Sequence, residues 1–472
     1  MQYISTRGGM NPCSFSDVLL MGTASNNGLS VPINIPKFSK PELKEMSKYS
    51  YQELALKILK IFCNDIPEND LKQIINKTFS KKHFTTEEIT PVDQTYTDFY
   101  IAHLSEGPTY SFKDLALQLV LPLMEYVLDK QDSFLNIVAA TSGDTGSATE
   151  NPAIGKKRIN VIMLTPHNKM SKFQTAQMYT INQPNIFNIA INGVFDTCQF
   201  IKKEIDKDSK FKEQYHIGAA NSINWARIAA QIIYQFKVYF SIKISSLEPI
   251  DIVIPSGNFG HALSAYYARQ MGIPFNRIII ATNENNVLNE FFKTGIYKIR
   301  KKEDVIPTNS PSMDIAISSN LERLLFHFFN NDEKITKNQM EKLSKTGEID
   351  LNEYPEYKKH LDQSNFSSGE STDIERINVI KRIYEEKNII IDPHTAAGVK
   401  VAFEKKQDIP ILCMETAKPF KFNPTIKKAI NKPAEMPKKA KEMQNKEQFF
   451  TEMEPDIEKV KNFIRKHALR ET

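Results

Sequence analysis

The chain has 472 residues, of which 41% are hydrophobic and 25% are charged, a composition typical of globular proteins. A single hydrophobic core rarely extends beyond about 250–300 residues, so two or three domains are expected. The 61 Lys and Arg residues exceed the 56 Asp and Glu residues by only five, and no basic arm interleaved with aromatic residues occurs. The charge balance therefore gives no support for nucleic-acid binding.

The cysteine pattern and the hydropathy predict a cytoplasmic protein. The four cysteines lie far apart and form no C-x-x-C pair, so neither disulfides nor a zinc site is expected. No apolar run reaches the roughly 18 residues that a membrane span needs. The N-terminal segment lacks a charged-then-apolar signal sequence and an Arg-rich transit pattern.

Residues 1–95 are predicted to form a mainly helical domain with an extended N-terminal strand. Ser50 and Glu53 have the spacing of a capping box. Leu54, Ile58 and Phe62 follow on one helical face. We interpret this region as a structural cover rather than a chemical site.

From Phe99 onward, short runs rich in Ile and Val alternate with helical patterns. This alternation predicts an α/β fold with parallel sheets that helices cover on both faces. Ligands of such folds bind at the carboxyl ends of the strands. The predicted strands are Phe99–Leu104, Phe134–Ala140, Ile159–Leu164, Ile186–Ile191, Ile250–Ile254, Ile278–Ala281 and Asn388–Ile391.

Lys113 lies in a pattern typical of a helix start. Ser111 is the predicted capping residue, and Asp114 provides an acid in the first turn. The positive end of the helix dipole would then favour a neutral amine at Lys113. A neutral amine is the form that a lysine needs as a nucleophile or proton carrier.

Two loops rich in small residues each follow an apolar run. They are Thr141–Gly146 (Thr-Ser-Gly-Asp-Thr-Gly) and Ser256–Gly260 (Ser-Gly-Asn-Phe-Gly). A strand, a small loop and a helix in this order direct backbone N–H groups at an anion. Asn151-Pro152 should make the helix after the first loop very short or late in starting.

Two later regions are predicted to lie on the surface. Residues 331–385 are dense in Lys, Glu, Asn and Ser, which indicates an insertion with a mobile stretch around Ser364–Thr372. The charged segment 426–472 contains Phe449, Phe450, Val460 and Phe463 at roughly helical spacing, which favours a C-terminal helical tail.

Taken together, these motifs resemble the threonine synthase family of fold-type II pyridoxal-phosphate enzymes. The resemblance runs from residue 3 to about residue 425 in the family's order. The matching segments are 3–8 (Tyr-Ile-Ser-Thr-Arg-Gly), 110–118 around Lys113, 141–146, 221–227 (Asn-Ser-Ile-Asn-Trp-Ala-Arg), 256–260, 392–396 (Asp-Pro-His-Thr-Ala) and 415–419 (Glu-Thr-Ala-Lys-Pro).

The resemblance implies a tryptophan synthase β-like fold. It has two doubly wound parallel-sheet domains after the N-terminal helical domain. The large cofactor-binding domain would comprise residues 96–131 and 216–425. The small domain would comprise residues 132–215.

The resemblance also implies pyridoxal 5'-phosphate as the cofactor and assigns its contacts. Lys113 would hold the aldehyde through a Schiff base and later act as acid and base. Gly257, Asn258, Phe259 and Gly260 would hold the phosphate. Thr416 would meet the ring nitrogen, and a neutral hydroxyl there would leave the ring a restrained electron sink.

Asp144 would lie near the phenolic oxygen of the cofactor, where two anions in contact are unfavourable. One proton would then be shared among Asp144, that oxygen and the lysine nitrogen. A helix cap that is independent of the cofactor is the alternative for Asp144.

The remaining residues that match the family suit a dianionic substrate. Ser142 and Thr145 would receive its α-carboxylate, and a second set would face its phosphate. That second set is Lys169, Asn221, Ser222 and Arg227. His394 and Trp225 are interpreted as packing residues.

The implied reaction converts O-phospho-L-homoserine and water to L-threonine and phosphate. The alternative is a threonine-synthase-like phospho-lyase that gives 2-oxobutyrate. Lys418 stands where many synthases have His, which bears on this choice. No nucleic-acid or membrane partner is expected, and both a monomer and a homodimer remain open.

Overall fold

The computed structural model describes residues 1–24, 26–242 and 247–470. No helix among these residues is both long enough and apolar enough to cross a membrane. The strands of the described chain are β1 (Tyr3–Ser5), β2 (Ser30–Pro32), β3 (Val92–Tyr96), β4 (Phe99–Ala102), β5 (Leu135–Ala140), β6 (Ile159–Pro166), β7 (Ile186–Ile191), β8 (Ile217–Gly218), β9 (Ile250–Pro255), β10 (Phe275–Thr282), β11 (Ile296–Lys298), β12 (Glu348–Asp350), β13 (Phe366–Glu370), β14 (Ile411–Met414) and β15 (Thr451–Met453).

The α-helices of the same residues are α1 (Phe15–Met21), α2 (Lys40–Met46), α3 (Tyr51–Phe62), α4 (Glu68–Thr78), α5 (Lys113–Lys130), α6 (Asp144–Ala153), α7 (Lys172–Tyr179), α8 (Phe195–Lys207), α9 (Ser209–Gln214), α10 (Trp225–Ser241), α11 (Gly260–Gln270), α12 (Val287–Thr294), α13 (Leu321–Phe328), α14 (Glu333–Thr346), α15 (Pro355–Gln363), α16 (Asp373–Lys387), α17 (Pro393–Lys405), α18 (Asn423–Ile430), α19 (Lys438–Met443) and α20 (Ile457–His467).

The chain divides into two compact units. Unit 1 comprises Met1–Val18, Thr23–Glu106 and Ser222–Ala434. Unit 2 comprises Leu19–Gly22, Gly107–Asn221 and Glu435–Thr472.

Unit 1 is built on a six-stranded sheet with the order β13-β10-β9-β14-β4-β3. All neighbouring strands are parallel except β3, which pairs antiparallel with β4 at one edge. Every residue of β9 and β14 is buried, as expected for central strands with both faces covered. Because β9 and β14 are parallel, their carboxyl ends lie at the same end of the sheet. The motif at 256–260 follows β9, and the motif at 415–419 follows β14.

The N-terminal helices α2, α3 and α4 belong to unit 1, and α3 packs on α10. The predicted capping box of Ser50 and Glu53 is present at the start of α3, and α3 contacts α10. Trp225, at the start of α10, is fully buried, and its ring lies 5.8 Å from Tyr3 and 5.7 Å from Phe62 between centroids. The interpretation of Trp225 as a packing residue is confirmed.

Unit 2 is built on a parallel five-stranded sheet with the order β15-β7-β6-β5-β8. The C-terminal segment completes it, because β15 pairs with β7 and α20 buries Val460 and Ile464 in the same core. Burying such aliphatic side chains contributes about 1.5–3 kcal/mol each. Phe449 and Phe450 precede β15 instead of lying on a helix with Val460 and Phe463, so that part of the expected helical spacing was wrong.

One predicted strand is absent from its position. Residues 388–391 form no strand, because Asn388 adopts the left-handed conformation (φ 55°) that ends α16. The chain then runs to Asp392, which caps α17. The strand of this part of the sheet is β14, which the apolar runs at the sequence level did not include.

The interpretation of 331–385 as a surface insertion was also wrong. This stretch contains α14, α15 and most of α16, and its Phe366–Glu370 segment is the edge strand β13 of the six-stranded sheet. Small residues at Ser368 and Gly369 are buried beside β10, and a Cβ at Gly369 would lie 2.9 Å from the Val401 side chain. The strand is polar in sequence because close packing excludes larger apolar residues there.

Candidate active site

The hydroxyl group of Thr141 holds the loop after β5 in a tight turn. Thr141 Oγ1 accepts the N–H groups of Gly143 at 3.1 Å and Gly146 at 3.0 Å. Gly143 has φ 134°, and a Cβ there would lie 2.8 Å from the Gln174 side chain, so the position requires glycine. The positive end of α6 follows directly, which makes the loop suitable for an anion.

Helix α6 begins at Asp144 and continues for ten residues, so the expectation of a very short or late helix was wrong. Pro152 lies in the last turn of α6, where a missing N–H removes only one bond of a helix that is about to end. Gly143 occupies the capping position without a side-chain cap bond. Asp144 is therefore not the helix cap.

Lys113 is the first residue of α5 and lies close to Asp144. The distance from Lys113 Nζ to Asp144 Oδ2 is 3.7 Å, and the two side chains are only 13% and 8% exposed. Gln174 Nε2 donates to the other carboxyl oxygen of Asp144 at 3.3 Å. A poorly solvated lysine is thus paired with an acid that a third side chain holds in place.

The start of α5 confirms the predicted place of Lys113 in the first turn, with one change. Phe112 occupies the capping position, and Ser111 Oγ accepts the N–H of Lys113 at 3.3 Å. Ser111 is therefore not the cap residue, although its hydroxyl still binds a backbone N–H at the helix start.

The turn at residues 107–109, which precedes Lys113, is held in place by residues that the sequence motifs did not identify. Asp114 is fully buried and accepts the backbone N–H of Thr109 at 2.8 Å and its hydroxyl at 2.7 Å. A Cβ at Gly107 would lie 2.4 Å from the Cβ of Asp114. Gln177 Nε2 donates to the carbonyl of Thr109 at 2.9 Å, which ties α7 to this turn.

The other candidate residues of unit 2 follow the carboxyl ends of neighbouring strands. Ser142 follows β5, Lys169 follows β6 and Asn221 follows β8, and these strands are adjacent in the sheet. Ser142 and Lys169 are exposed, whereas Asn221 and Thr145 are half-buried. All four residues therefore lie at the carboxyl end of the sheet, which is also where Asp144 pairs with Lys113.

In unit 1, the loop after β9 turns its carbonyl groups towards the segment 318–320. Ser318 Oγ donates to the Gly257 carbonyl at 2.8 Å, and Asn320 donates from its N–H at 3.1 Å and from Nδ2 at 3.0 Å to the Asn258 carbonyl. Because a peptide plane directs C=O and N–H to opposite sides, the N–H groups of Asn258 and Phe259 are directed away from that segment. Phe259 has φ 62°, which brings the chain into α11.

The same loop has the space and the chemistry of an anion cradle. A Cβ at Gly257 would lie 3.1 Å from the Ser312 carbonyl, so a larger residue would press on backbone. The Ser256 hydroxyl is buried without a hydrogen-bond partner among the described residues. Buried hydroxyl groups are normally paired, and this one could pair with a bound anion.

Asn320 and Arg323 connect this loop to the segment around Ser222. Asn320 Nδ2 also donates to the Ser222 carbonyl at 3.1 Å. Arg323 is fully buried and donates to the Ile223 carbonyl and to Asn320 Oδ1, both at 2.6 Å. Two motifs that are separate in sequence are therefore held by one pair of side chains from the start of α13.

Arg227 lies in the first turn of α10. Asn224 caps this helix, because its side chain accepts the N–H of Ala226 at 2.9 Å. Arg227 is 5% exposed, and burial lowers the pKa of its guanidinium to about 10. The group is still charged at neutral pH, and a bound anion would offset its desolvation.

Thr416 follows β14 and lies against the start of α17. Its N–H donates to Thr395 Oγ1 at 3.1 Å, and its hydroxyl donates to Asp392 at 3.3 Å. His394 is buried and also bonds to Asp392, through Nδ1 at 2.9 Å. Thr416 is thus part of a polar network and not only a turn at a strand end.

A cluster of charges adjoins Thr416 in sequence. Lys418 forms an ion pair with Glu106, and its Nζ lies 3.9 Å from Glu415 Oε1. Glu106 also accepts a hydrogen bond from the hydroxyl of Thr85. His103 Nδ1 is 3.2 Å from Glu415. Burial alone would raise the pKa of Glu106, but the Lys418 ammonium lowers that pKa below its ordinary value.

Comparison with known proteins identifies the family. The model for "Threonine synthase N terminus" matches residues 2–79, and the model for "Threonine synthase, C-terminal" matches residues 395–464. A threonine synthase of Methylobacillus glycogenes is 43% identical, with 99% of this chain and 100% of the relative covered. The chain belongs to the threonine synthase family.

Solved structures of this family confirm the predicted fold. The PLP-bound threonine synthase of Brucella melitensis matches with a TM-score of 0.94 at 34% identity, covering 99% of both chains. The yeast threonine synthase structure matches with a TM-score of 0.92 at 34% identity, covering 99% of this chain and 98% of the other. The fold is α/β of the fold-type II kind, with a helical N-terminal region.

Within this threonine synthase fold, each unit carries part of the predicted set of residues. Unit 2 brings together Lys113, Ser142, Asp144, Thr145, Lys169 and Asn221. Unit 1 carries Ser222, Arg227, Gly257, Asn258, Phe259, Gly260 and Thr416.

The supporting residues Thr109, Gln177, Asn320, Arg323 and Asp392 were missed. Asn320 and Arg323 lie outside the matching segments, and no local pattern distinguishes them from surface polar residues.

Proposed function

We propose that the chain converts O-phospho-L-homoserine and water to L-threonine and phosphate with pyridoxal 5'-phosphate as its cofactor. The observation that carries the proposal is the poorly exposed Lys113 at a helix start, 3.7 Å from Asp144. Family membership over the whole length of the chain supports the same reaction.

The residues of unit 1 fit the cofactor phosphate. Asn258 and Phe259 offer backbone N–H groups, Gly257 gives close access, and the buried Ser256 hydroxyl has no other partner among the described residues. The start of α11 adds a positive potential. Thr416 would meet the ring nitrogen. When bound, pyridoxal phosphate supplies an aldehyde for covalent attachment and an electron sink.

Lys113 would hold the cofactor and then act as the acid and base of the reaction. Lys113 has low exposure and lies at the start of α5, beside the carboxylate of Asp144. Asp144 lies within reach to take or return a proton at Lys113 Nζ, and Gln174 fixes the carboxylate for that exchange.

The remaining residues would bind the two charged ends of the substrate. The α-carboxylate would lie at Ser142 and Thr145, next to the N-terminus of α6. The substrate phosphate would lie at Lys169, Asn221, Ser222 and Arg227. Arg227 offers a planar fork for two phosphate oxygens, and its buried charge makes that pairing strong.

Product analysis tests the proposal. The purified protein, supplied with pyridoxal phosphate and O-phospho-L-homoserine, should release threonine and phosphate in equal amounts, with little 2-oxobutyrate. Lys113→Ala should release neither, whereas Lys130→Ala, at the exposed end of the same helix, should keep the wild-type rate. An excess of 2-oxobutyrate over threonine would replace this proposal with a phospho-lyase.

The domain limits at 95, 131, 215 and 425 and a cytoplasmic location remain predictions. Limited proteolysis followed by mass spectrometry would test the limits, since cleavage concentrates in exposed connections.

A further inference from the structure

The segment 3–8 matches the family, but it contributes no residue to the proposed ligand contacts. Its last four residues form a tight turn after β1, in which the N–H of Gly8 donates to the Ser5 carbonyl at 3.1 Å. Ser5 Oγ accepts the N–H of Arg7 at 3.2 Å. Gly8 ends the turn with φ 69°, a conformation that favours glycine. The turn therefore holds the backbone of Arg7 in one orientation.

The side chain of Arg7 binds Glu322, in the first turn of α13. Arg7 Nε donates to Glu322 Oε1 at 2.9 Å, and Arg7 Nη2 donates to Oε2 at 2.7 Å, so the guanidinium forms a fork on both oxygens. The hydroxyl of Thr6 donates to Oε1 at 2.5 Å. Glu322 is 5% exposed, so its carboxylate is poorly solvated and depends on these donors.

The next residue, Arg323, is a fully buried guanidinium that binds backbone carbonyls. It donates from Nε to the Ser30 carbonyl at 2.9 Å and from Nη2 to the Ile223 carbonyl at 2.6 Å. Burial lowers the pKa of Arg323 to about 10, whereas the charges of Tyr267 and Glu322 act in the opposite direction. The Glu322 carboxylate is therefore close enough to attract this guanidinium.

Glu322 forms an ion pair with Arg7 and, among the described residues, none with Arg323. A carboxylate attracts a guanidinium more strongly than a carbonyl does, because both groups are charged. Without Arg7, Glu322 would be a buried carboxylate in need of a cation, and Arg323 would be drawn to it. That movement would release the Ile223 carbonyl, which belongs to the segment 222–227. Arg7 prevents the movement by occupying both carboxyl oxygens.

We propose that Arg7 is a positioning residue that keeps the Arg323 guanidinium on the segment 222–227, which would bind the substrate phosphate. The inference rests on the proposed function, because it takes Ser222 and Arg227 to meet that phosphate. It gives the N-terminal region a part in substrate binding, beyond the structural cover expected from the sequence. Arg7 acts through its neighbours and does not touch the substrate.

The loop for the cofactor phosphate should depend less on Arg323. The Gly257 carbonyl accepts from Ser318 Oγ, and the Asn258 carbonyl accepts from the N–H of Asn320. Neither bond involves Arg323, although its guanidinium also donates to Asn320 Oδ1 at 2.6 Å. Loss of the Arg323 contacts should therefore weaken binding of the substrate phosphate more than binding of the cofactor.

The test combines calorimetry of inorganic phosphate binding to holoenzyme with kinetics for O-phospho-L-homoserine. Phosphate is a product of the proposed reaction, and in holoenzyme the cofactor fills its own phosphate site. Arg7→Met keeps the apolar stem but removes the charge. It should weaken phosphate binding and raise KM about tenfold, with smaller changes in kcat and in cofactor affinity. Unchanged phosphate affinity and KM, or an equal loss of cofactor affinity, would overturn the proposal.

A second variant tests the route through Glu322. Glu322→Gln removes the carboxylate that would draw Arg323 away, so adding it to Arg7→Met should restore most of the lost phosphate affinity. A double variant that binds phosphate as weakly as Arg7→Met, or more weakly, would overturn the proposal. If Arg7→Met does not fold, Arg7→Lys replaces it, because it keeps the charge but loses the fork. Its expected loss of phosphate affinity is about threefold, and no loss would overturn the proposal.

The matched control is Arg277→Met in the same unit. Arg277 also donates two hydrogen bonds to a fully buried carboxylate, that of Asp251, but at the amino ends of β9 and β10. Arg277→Met should lower stability in urea unfolding and leave phosphate affinity and KM unchanged. An equal rise in KM in this control would overturn a specific role for Arg7. Failure of the proposed function is separate, because it would show as no threonine from the wild-type protein, whereas phosphate binding is measured without turnover.

Discussion

Glu150 offers a sharp test of the electrostatics of unit 2. It lies on α6, six residues after Asp144, and is fully buried. A hydrogen bond with Asn188 acts to lower the pKa of this carboxyl, but burial has the larger effect. Burial raises the pKa of Glu150 well above its ordinary value of 4.5, because a charged carboxylate is poorly solvated there.

The pH dependence of stability follows from the proton of this carboxyl group. The unfolded chain releases it above pH 4.5, whereas the folded chain keeps it, so the free energy of unfolding falls as pH rises through this range. Each pH unit between 4.5 and the raised pKa of Glu150 costs about 1.4 kcal/mol. Glu150→Gln has nearly the same shape and no proton to lose, and should remove that cost.

The assay is urea unfolding followed by circular dichroism between pH 4 and pH 8. The stability of Glu150→Gln relative to the wild type should rise by about 1.4 kcal/mol for each pH unit above 4.5, up to the raised pKa of Glu150. Glu213→Gln, at an exposed position of α9, is the matched control and should show no such gain. A difference between Glu150→Gln and wild type that stays constant with pH would refute the reasoning.

Four further predictions concern the proposed site and the charges beside it. Lys113→Ala should lose the covalent cofactor linkage: after borohydride reduction, peptide mass spectrometry should find the cofactor on the peptide that contains Lys113 in the wild type and on no peptide of the variant. Arg227→Lys should lower kcat/KM for the phosphorylated substrate by about ten- to a hundredfold while cofactor affinity stays, because the charge remains but the fork is lost. Asp144→Asn should change the pH titration of the visible spectrum of bound cofactor, and an identical titration would remove Asp144 from the proton-sharing set. Lys418→Met should cost about 1–3 kcal/mol of stability at pH 8 and less at pH 4. The reason is that the Lys418 ammonium lowers the pKa of Glu106, a contribution to stability that is lost as pH falls below 4.5. An equal loss of stability at both pH values in urea unfolding would contradict this prediction.

The sequence predicted those parts of the fold that local periodicity determines. The run Ile186–Ile191 is the strand β7 without change, because every position of a covered parallel strand favours an aliphatic residue. The edge strand Phe366–Glu370 was missed because its composition is set by close packing on Val401, 31 or more residues away in the chain. Asn388–Ile391 was taken as a strand because apolar composition does not distinguish a strand from the extended entry to a capped helix.

The residues of the candidate site also differ in whether a local sequence pattern predicts them. Lys113 and the two glycine-containing loops were found because helix starts and phosphate-binding turns have local signatures. Asn320 was not found, since its role depends on donating to the carbonyls of Ser222 and Asn258, which are 98 and 62 residues away. Such a contact leaves no trace in the local pattern around either partner.

The residues that were missed share one physical task, which is to satisfy buried polar groups that the motifs create. A loop that presents its N–H groups to an anion must turn its carbonyls inward, and each inward carbonyl needs a donor from elsewhere in the chain. Asn320 and Ser318 supply those donors to the loop at Gly257 and Asn258. Asp392 accepts the N–H groups of His394 and Thr395 at the start of α17, beside Thr416. The motif residues therefore determine which group binds, whereas their distant partners determine the direction of each hydrogen bond.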